Sequence, residues 1–218
     1  MQLYNYFRSS ASFRVRIAMN LKGLPFDYKP IHLVRHGGEQ RAAEFLALNP
    51  DGLVPVFIDD ASDPPARLTQ SLAIIEYLDE IHPEPPLLPH GAMARARVRA
   101  LAMSIACEIH PLNNLRVLRY LTQVLKIGDD AKNAWYRHWV ETGLQAFEAQ
   151  LVSSSMTGAF CHGDAPTLAD ITLVPQIFNG RRFDCDFATM PTLMRIFDAC
   201  MALESFKEAV PDKQPDAE

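Results

Sequence analysis

Four cysteines in 218 residues stand far apart, at Cys107, Cys161, Cys185 and Cys200, and none forms a Cys-x-x-Cys pair. That argues against a zinc ribbon and a dithiol redox centre, and reads instead as free buried thiols in a reducing compartment. No His/Cys/Asp/Glu spacing suggests a metal site. No run of about 18 uncharged apolar residues occurs, so no membrane span is expected. The chain goes straight into a strand-like segment without a basic–apolar leader, which makes a cytoplasmic location the expectation. A surplus of basic charge is also missing: the net charge is −5, which gives no reason to expect a nucleic-acid partner. No internal repeat is visible. What remains is ordinary soluble composition, 48% hydrophobic and 22% charged, in a chain long enough for one large or two small domains.

The stretch Phe7–Arg16 (FRSSASFRVR) carries the chemistry. It follows a strand-like run, Gln2 to Tyr6, and leads into Phe13, Ile17 and Leu21 at helical spacing. Ser9, Ser10 and Ser12 thus sit where a strand turns into a helix. Unpaired N–H groups at a helix start favour an anion, and hydroxyls beside them could hold a thiolate, a carboxylate or a phosphate. The same serines could equally be plain N-caps. Arg8, Arg14 and Arg16 add local positive charge, suited to a small acidic ligand.

Gly23 closes this helix and Phe26 to Leu33 reads as a second strand, so a βαβ unit with parallel pairing opens the chain. A loop at Arg35–Gly38 and a short helix from Arg41 to Leu48, with Phe45 and Leu48 inward, follow. Val54–Ile58 reads as an apolar strand with Pro55 at its entrance. If the Val54–Pro55 bond is cis, the backbone of Val54 is turned outward to pair with an extended ligand; a trans, purely structural proline is the alternative. A polar connection leads to a short strand at Arg67–Leu68. Ser71 then reads as the N-cap of a helix carrying Leu72, Ile75 and Leu78, with the Gln70 amide beside it.

Four prolines between Pro83 and Pro89 make a stiff linker. The expected division is a domain at 1–83, a linker at 84–90 and an all-helical domain at 91–218. One helical pattern runs from Ala92 to about Leu125, with Val98, Leu101, Ile105 and Ile109 on one stripe and Pro111 as a kink near His110. A second spans about 131–151 with Trp135, Trp139, Leu144 and Phe147. Thr167 and Asp170 form a capping box before an almost wholly apolar helix, expected at the centre of the helical half. Arg181 and Arg182 follow, then a last helix over about 192–208 and a polar tail.

This succession resembles the glutathione transferases over residues 1–216. Arg8-Ser9-Ser10-x-Ser12-x-Arg14-Val15-Arg16, the run Gln70–Leu78, Ile109–Leu115 and Gln214-Pro215-Asp216 resemble the zeta class. The resemblance implies a thioredoxin-like α/β N-terminal domain followed by an all-α C-terminal domain. Glutathione is the implied cofactor, and a cis-configured, doubly carboxylated enone the implied substrate. The implied activity is isomerisation of maleylacetoacetate to its trans isomer, in catabolism of aromatic amino acids; a homodimer is implied as well.

By the same resemblance Ser9 and Ser10 face the glutathione sulfur, with Ser9 stabilising the thiolate. Gln40, Val54, Pro55, Gln70 and Ser71 bind glutathione. His110 and Asn114 line the cleft from the helical domain; a histidine beside a helix-breaking proline could instead satisfy a freed carbonyl. Arg8 and Arg182 hold the substrate carboxylates. Ala11 stands where the class usually has cysteine, so hydroxyl chemistry is expected at this turn and Ser12 is left to cap the helix. Maleylpyruvate isomerisation, general glutathione conjugation and α-haloacid dehalogenation are rival activities. A binding module of this fold without catalysis is the reading outside enzymes.

Overall fold

Pro30 ends the second strand three residues before the apolar pattern does. The computed structural model, which describes residues 1–218, has β2 at Asp27–Pro30. Ile31 still donates to Asn5 at 2.8 Å, but the His32 N–H turns to the Glu39 carboxylate at 2.6 Å, and the chain leaves the sheet. The rest of the βαβ unit is as the sequence predicts. β1 (Gln2–Asn5) pairs in parallel with β2, and α1 (Ser10–Leu21) joins them.

The chain divides into two compact units, Met1–Leu87 with Leu203–Glu218, and Leu88–Ala202. In the first, β3 (Val56–Asp59) lies antiparallel to β1, and β4 (Ala66–Thr69) antiparallel to β3. The sheet order is β2-β1-β3-β4. A short helix α2 (Ala43–Leu48) precedes β3, and α3 (Ser71–Ile81) follows β4 and packs on α1.

α1 is buried almost all round rather than amphipathic: every residue from Ser12 to Met19 is buried, Arg14 and Arg16 included. Arg16 donates to Asn5 Oδ1 and the Ala209 carbonyl, each at 3.1 Å, and to the Phe7 carbonyl at 2.9 Å. Burial lowers its pKa to about 10, so it stays charged at neutral pH. The expectation that Arg16 serves a ligand is thereby corrected, because its guanidinium is spent inside the fold; Arg14 is buried beside it. The last segment belongs to this unit too. Leu203 is extended, so the expected final helix stops at Ala202; α10 (Glu204–Lys207) packs on α1, and Phe206 and Ala209 are buried.

In the second unit, the helical pattern from Ala92 is not one helix. α4 (Ala92–Met103) widens into a π-helical stretch at Ser104–Ile109, then α5 (His110–Asn113) carries Pro111 in its first turn. Proline cannot return a hydrogen bond to the preceding turn, so the wider turn falls just before it. The helical run breaks at Asn114 (φ −66°, ψ 147°), after which α6 (Leu115–Arg119) and a second π-helical stretch run to Val124. α7 (Asp129–Val152) and α9 (Pro191–Ala202) flank α8 (Leu168–Arg181), whose residues Leu168–Ile177 are all buried.

The predicted capping box is present at α8. The Asp170 carboxylate accepts the Thr167 N–H, the Thr167 hydroxyl and the Cys161 N–H, each at 2.8 Å. Burial raises the Asp170 pKa, and these donors pull against it. No helix is long and apolar enough to cross a membrane.

Candidate active site

The sheet register gathers four of the expected site segments. Asn5 lies opposite Pro30, Tyr4 opposite Val56, and Val56 opposite Thr69. The ends of β1, β2 and β4 and the start of β3 therefore share one edge. From that edge emerge Arg8–Ser10, the connection carrying Gln40, the Val54–Pro55 entrance and Gln70–Ser71. Tyr6, Phe7, Phe45, Val54 and Val56 pack there as one apolar cluster.

The turn before α1 is closed by the Ser9 N–H on the Tyr6 carbonyl at 3.0 Å. The Ser9 hydroxyl oxygen accepts the Ser12 N–H at 3.2 Å, so Ser9 is the N-cap. This corrects the assignment of capping to Ser12, which is buried within the first turn of the helix. A capping serine still has its O–H to give, because the cap uses only an oxygen lone pair. Ser10 is the first helical residue and is buried. Arg8 is exposed, its guanidinium carbon 4.8 Å from the centre of the Phe7 ring.

The Val54–Pro55 bond is cis, and Val54 lies two positions outside the ladder, beyond Val56. Gln70 occupies the cap position of α3, where Ser71 was expected. Its φ of 68° and ψ of 112° are unusual for a residue with a side chain, and that side chain is exposed. Ser71 is instead the first helical residue, and its hydroxyl accepts from Arg14 at 3.3 Å. Arg14 was missed as a support for this edge; nothing in its spacing separates it from a solvent-facing arginine.

Gln40 is buried, and its Oε1 has no hydrogen-bond partner within the chain. Gly38 makes room for it: a Cβ at Gly38, where φ is 112°, would stand 2.6 Å from Gln40 Oε1. An orphaned acceptor of this kind is costly unless a ligand donates to it. Glutathione suits the edge, since it brings peptide N–H groups for Gln40 and Val54, carboxylates for a helix start and a thiol for the Ser9 hydroxyl.

The remaining expected residues lie on the second unit. His110 begins α5 and is half-buried; Asn114 caps α6, its Oδ1 accepting the Arg116 N–H at 3.1 Å. Arg182 follows α8, exposed, and donates to Asn179 Oδ1 at 3.2 Å. The cysteines divide unevenly: Cys161, Cys185 and Cys200 are buried, whereas Cys107 is exposed. Burial pushes the Cys185 thiol up to about 12 and raises Cys161 and Cys200 as well, so none of these three is a ready nucleophile.

A sheet of this order with a helix start at its edge, followed by a helical unit, is the glutathione transferase architecture. Residues 3–86 match the family of the glutathione S-transferase N-terminal domain. Over 215 residues the chain is 50% identical to a probable maleylacetoacetate isomerase of Vibrio cholerae, spanning 99% of this chain and 97% of that one. A maleylpyruvate isomerase, described as a bacterial zeta-class glutathione transferase in its holo form, superposes with a TM-score of 0.95 at 44% identity, covering 100% of both chains. A maleylacetoacetate isomerase of Methylobacterium extorquens, solved with malonate and glutathione bound, gives 0.94 at 40% identity, again over 100% of both. The chain belongs to the glutathione transferase family, in its zeta class.

Proposed function

We propose that this protein is a glutathione-dependent cis–trans isomerase acting on maleylacetoacetate. The observation that carries the reading is the Ser9 cap at the shared sheet edge, a hydroxyl fixed in place with its proton still to give. Bound glutathione supplies a thiolate that adds reversibly to the conjugated double bond, leaving a single bond free to rotate before the thiolate departs. Ser9 donates its O–H toward the sulfur, and the N-terminal field of α1 acts in the same sense, so the thiol ionises more readily. Ser10 stands beside it at the same helix start.

Gln40, the backbone of Val54 before Pro55, Gln70 and Ser71 hold the tripeptide, the last two at its γ-glutamyl end. Arg8 and Arg182 each take a substrate carboxylate through a planar fork, and Arg8 also meets the negative charge that develops on the ketone side. Fixing both carboxylates orients the double bond, which lowers the entropic part of the barrier. His110 and Asn114 belong to the substrate side in this reading. Cytoplasmic location and a homodimeric state complete it, supported by the unpaired cysteines and by the family resemblance respectively.

Maleylpyruvate is the second reading, favoured by the likeness to the maleylpyruvate isomerase noted above. An ultraviolet assay with each substrate, with and without glutathione, decides between them. Glutathione-dependent loss of the cis isomer is expected, with the higher kcat/KM for maleylacetoacetate. Equal turnover without glutathione would overturn the mechanism, and a higher kcat/KM for maleylpyruvate would reverse the substrate assignment.

A further inference from the structure

The peptide groups on both sides of the Phe7 α-carbon are held by ionisable side chains from distant positions. The Phe7 carbonyl accepts from Arg16 at 2.9 Å, and its N–H donates to Asp216 Oδ2 at 3.2 Å. The other Asp216 oxygen accepts the Tyr28 hydroxyl. Phe7 precedes Arg8 and Ser9, its ring carries the Arg8 guanidinium, and it sits inside the turn that the Ser9 N–H closes on Tyr6. β1 has ended at Asn5, so no ladder holds the Phe7 amide.

We propose that Asp216, in the C-terminal segment, is a positioning residue for the isomerase turn: it holds the Phe7 amide and thereby sets where Arg8 and the Ser9 hydroxyl stand. The segment does not need Asp216 to stay in place. Ala209 and Phe206 are buried, Arg16 donates to the Ala209 carbonyl, and Asn20 donates to the Ser205 carbonyl at 3.0 Å. Removing the carboxylate therefore releases the turn rather than the segment. A hydrogen bond to an ionised acceptor is stronger and more directional than a bond to water. Sub-ångström freedom at a group that must meet a reacting sulfur lowers turnover much more than binding.

The inference rests on the reading of Ser9 as thiolate stabiliser, and its test separates the two. In the full chain, Asp216→Ala is compared with Ser9→Ala and with the double variant. Three quantities are read: kcat, KM for glutathione, and the pKa of the enzyme-bound glutathione thiol from thiolate absorbance. Asp216→Ala is expected to lower kcat by about 10-fold and raise the bound-thiol pKa, with KM within about twofold. Asp216→Asn keeps one acceptor oxygen for Phe7 and is expected to restore most of the activity. In the Ser9→Ala background the Asp216 change should add little, as coupled groups do. An Asp216→Ala variant with normal kcat and bound-thiol pKa, altered only in melting temperature, overturns the positioning role. A fully active Ser9→Ala overturns instead the reading of Ser9 itself. Should Asp216→Ala fail to fold, a chain ended after Gln214 removes the same contact, and unchanged kcat and thiol pKa there overturn the proposal equally.

Discussion

The Ser9 hydroxyl accepts the Ser12 N–H at 3.2 Å, so the oxygen that caps α1 is the one proposed to serve the glutathione sulfur. Ser9→Ala should therefore do two separable things. It should cost about 1 kcal/mol of stability through the lost cap, and about 100-fold in glutathione-dependent turnover through the lost donor. Ser9→Asp keeps a capping acceptor but offers a negative charge to the sulfur. Thermal melts should place Ser9→Asp near the parent, while its turnover is at least as low as that of Ser9→Ala. A Ser9→Asp variant of parental activity would remove Ser9 from the chemistry.

Gln70 holds a left-handed φ of 68° at the start of α3. Glycine adopts such a φ at no steric cost, so Gln70→Gly is expected to stabilise the protein by about 1 kcal/mol. The same change deletes the amide proposed to meet glutathione. A higher melting temperature with weaker glutathione affinity by calorimetry is the expected pair, and unaltered affinity would exclude the amide from the ligand.

Arg182 is exposed and donates to Asn179. Arg182→Ala should move stability by no more than about 0.5 kcal/mol, as surface changes do. It should raise KM for dicarboxylate substrates about 10-fold, the loss of one charge-assisted pair, and leave monocarboxylate KM alone. Equal effects on the two substrate classes count against the carboxylate clamp.

Asp170 is wholly buried and accepts three hydrogen bonds. Asp170→Asn turns an NH2 group toward those donors. A loss of about 2–4 kcal/mol is expected from denaturant titration, since buried donors are left unpaired. Kinetic constants of the folded fraction should be close to those of the parent.

His162 supplies the pH dependence. Its Nδ1 lies 3.1 Å from Arg97 Nη1, and since arginine only donates, the histidine nitrogen is the acceptor and stays unprotonated. Burial, and then the Arg97 charge, lower the pKa below the ordinary 6.5. The unfolded chain thus binds this proton more readily than the folded one, and stability must fall as the pH drops through and below about 6.5. His162→Asn keeps an acceptor for Arg97 without the titration. Its melting temperature should decline less between pH 7.5 and 5.5, and parallel curves for the two proteins would discount the linkage.

What the sequence made legible is what short-range pattern controls. The βαβ opening, the Thr167–Asp170 box and the Val-Pro entrance are each written in contiguous stretches of the chain and form there, whereas the start of α3 is shifted by one, with Gln70 rather than Ser71 at the cap. What escaped depends on partners far along the chain. Arg14 and Arg16 look like ligand-facing charges because their acceptors, Ser71 for Arg14 and Phe7 and Ala209 for Arg16, are not adjacent in sequence. The return of the C-terminal segment escaped for the same reason, since helical spacing runs on past Ala202 while Leu203 turns extended. Ser9 and Ser12 could not be ranked as caps from sequence, because either serine can begin the same helix. Pro30 was readable in principle: a residue with no N–H is a poor place to continue a strand.

The first unit is discontinuous, with residues 203–218 completing a fold that residues 1–87 begin. A nascent chain therefore exposes Arg16 to the ribosome exit long before Ala209 exists to receive it, and Phe7 before Asp216. Domains usually fold in order as they emerge, but here the N-terminal one stays unfinished while the whole helical half is made. An expressed fragment covering residues 1–87 alone would carry a buried arginine short of an acceptor and a bare core face at α1. Fusion partners appended near residue 218 would sit against the last piece to arrive, so a cleavable tag is the safer choice for activity work.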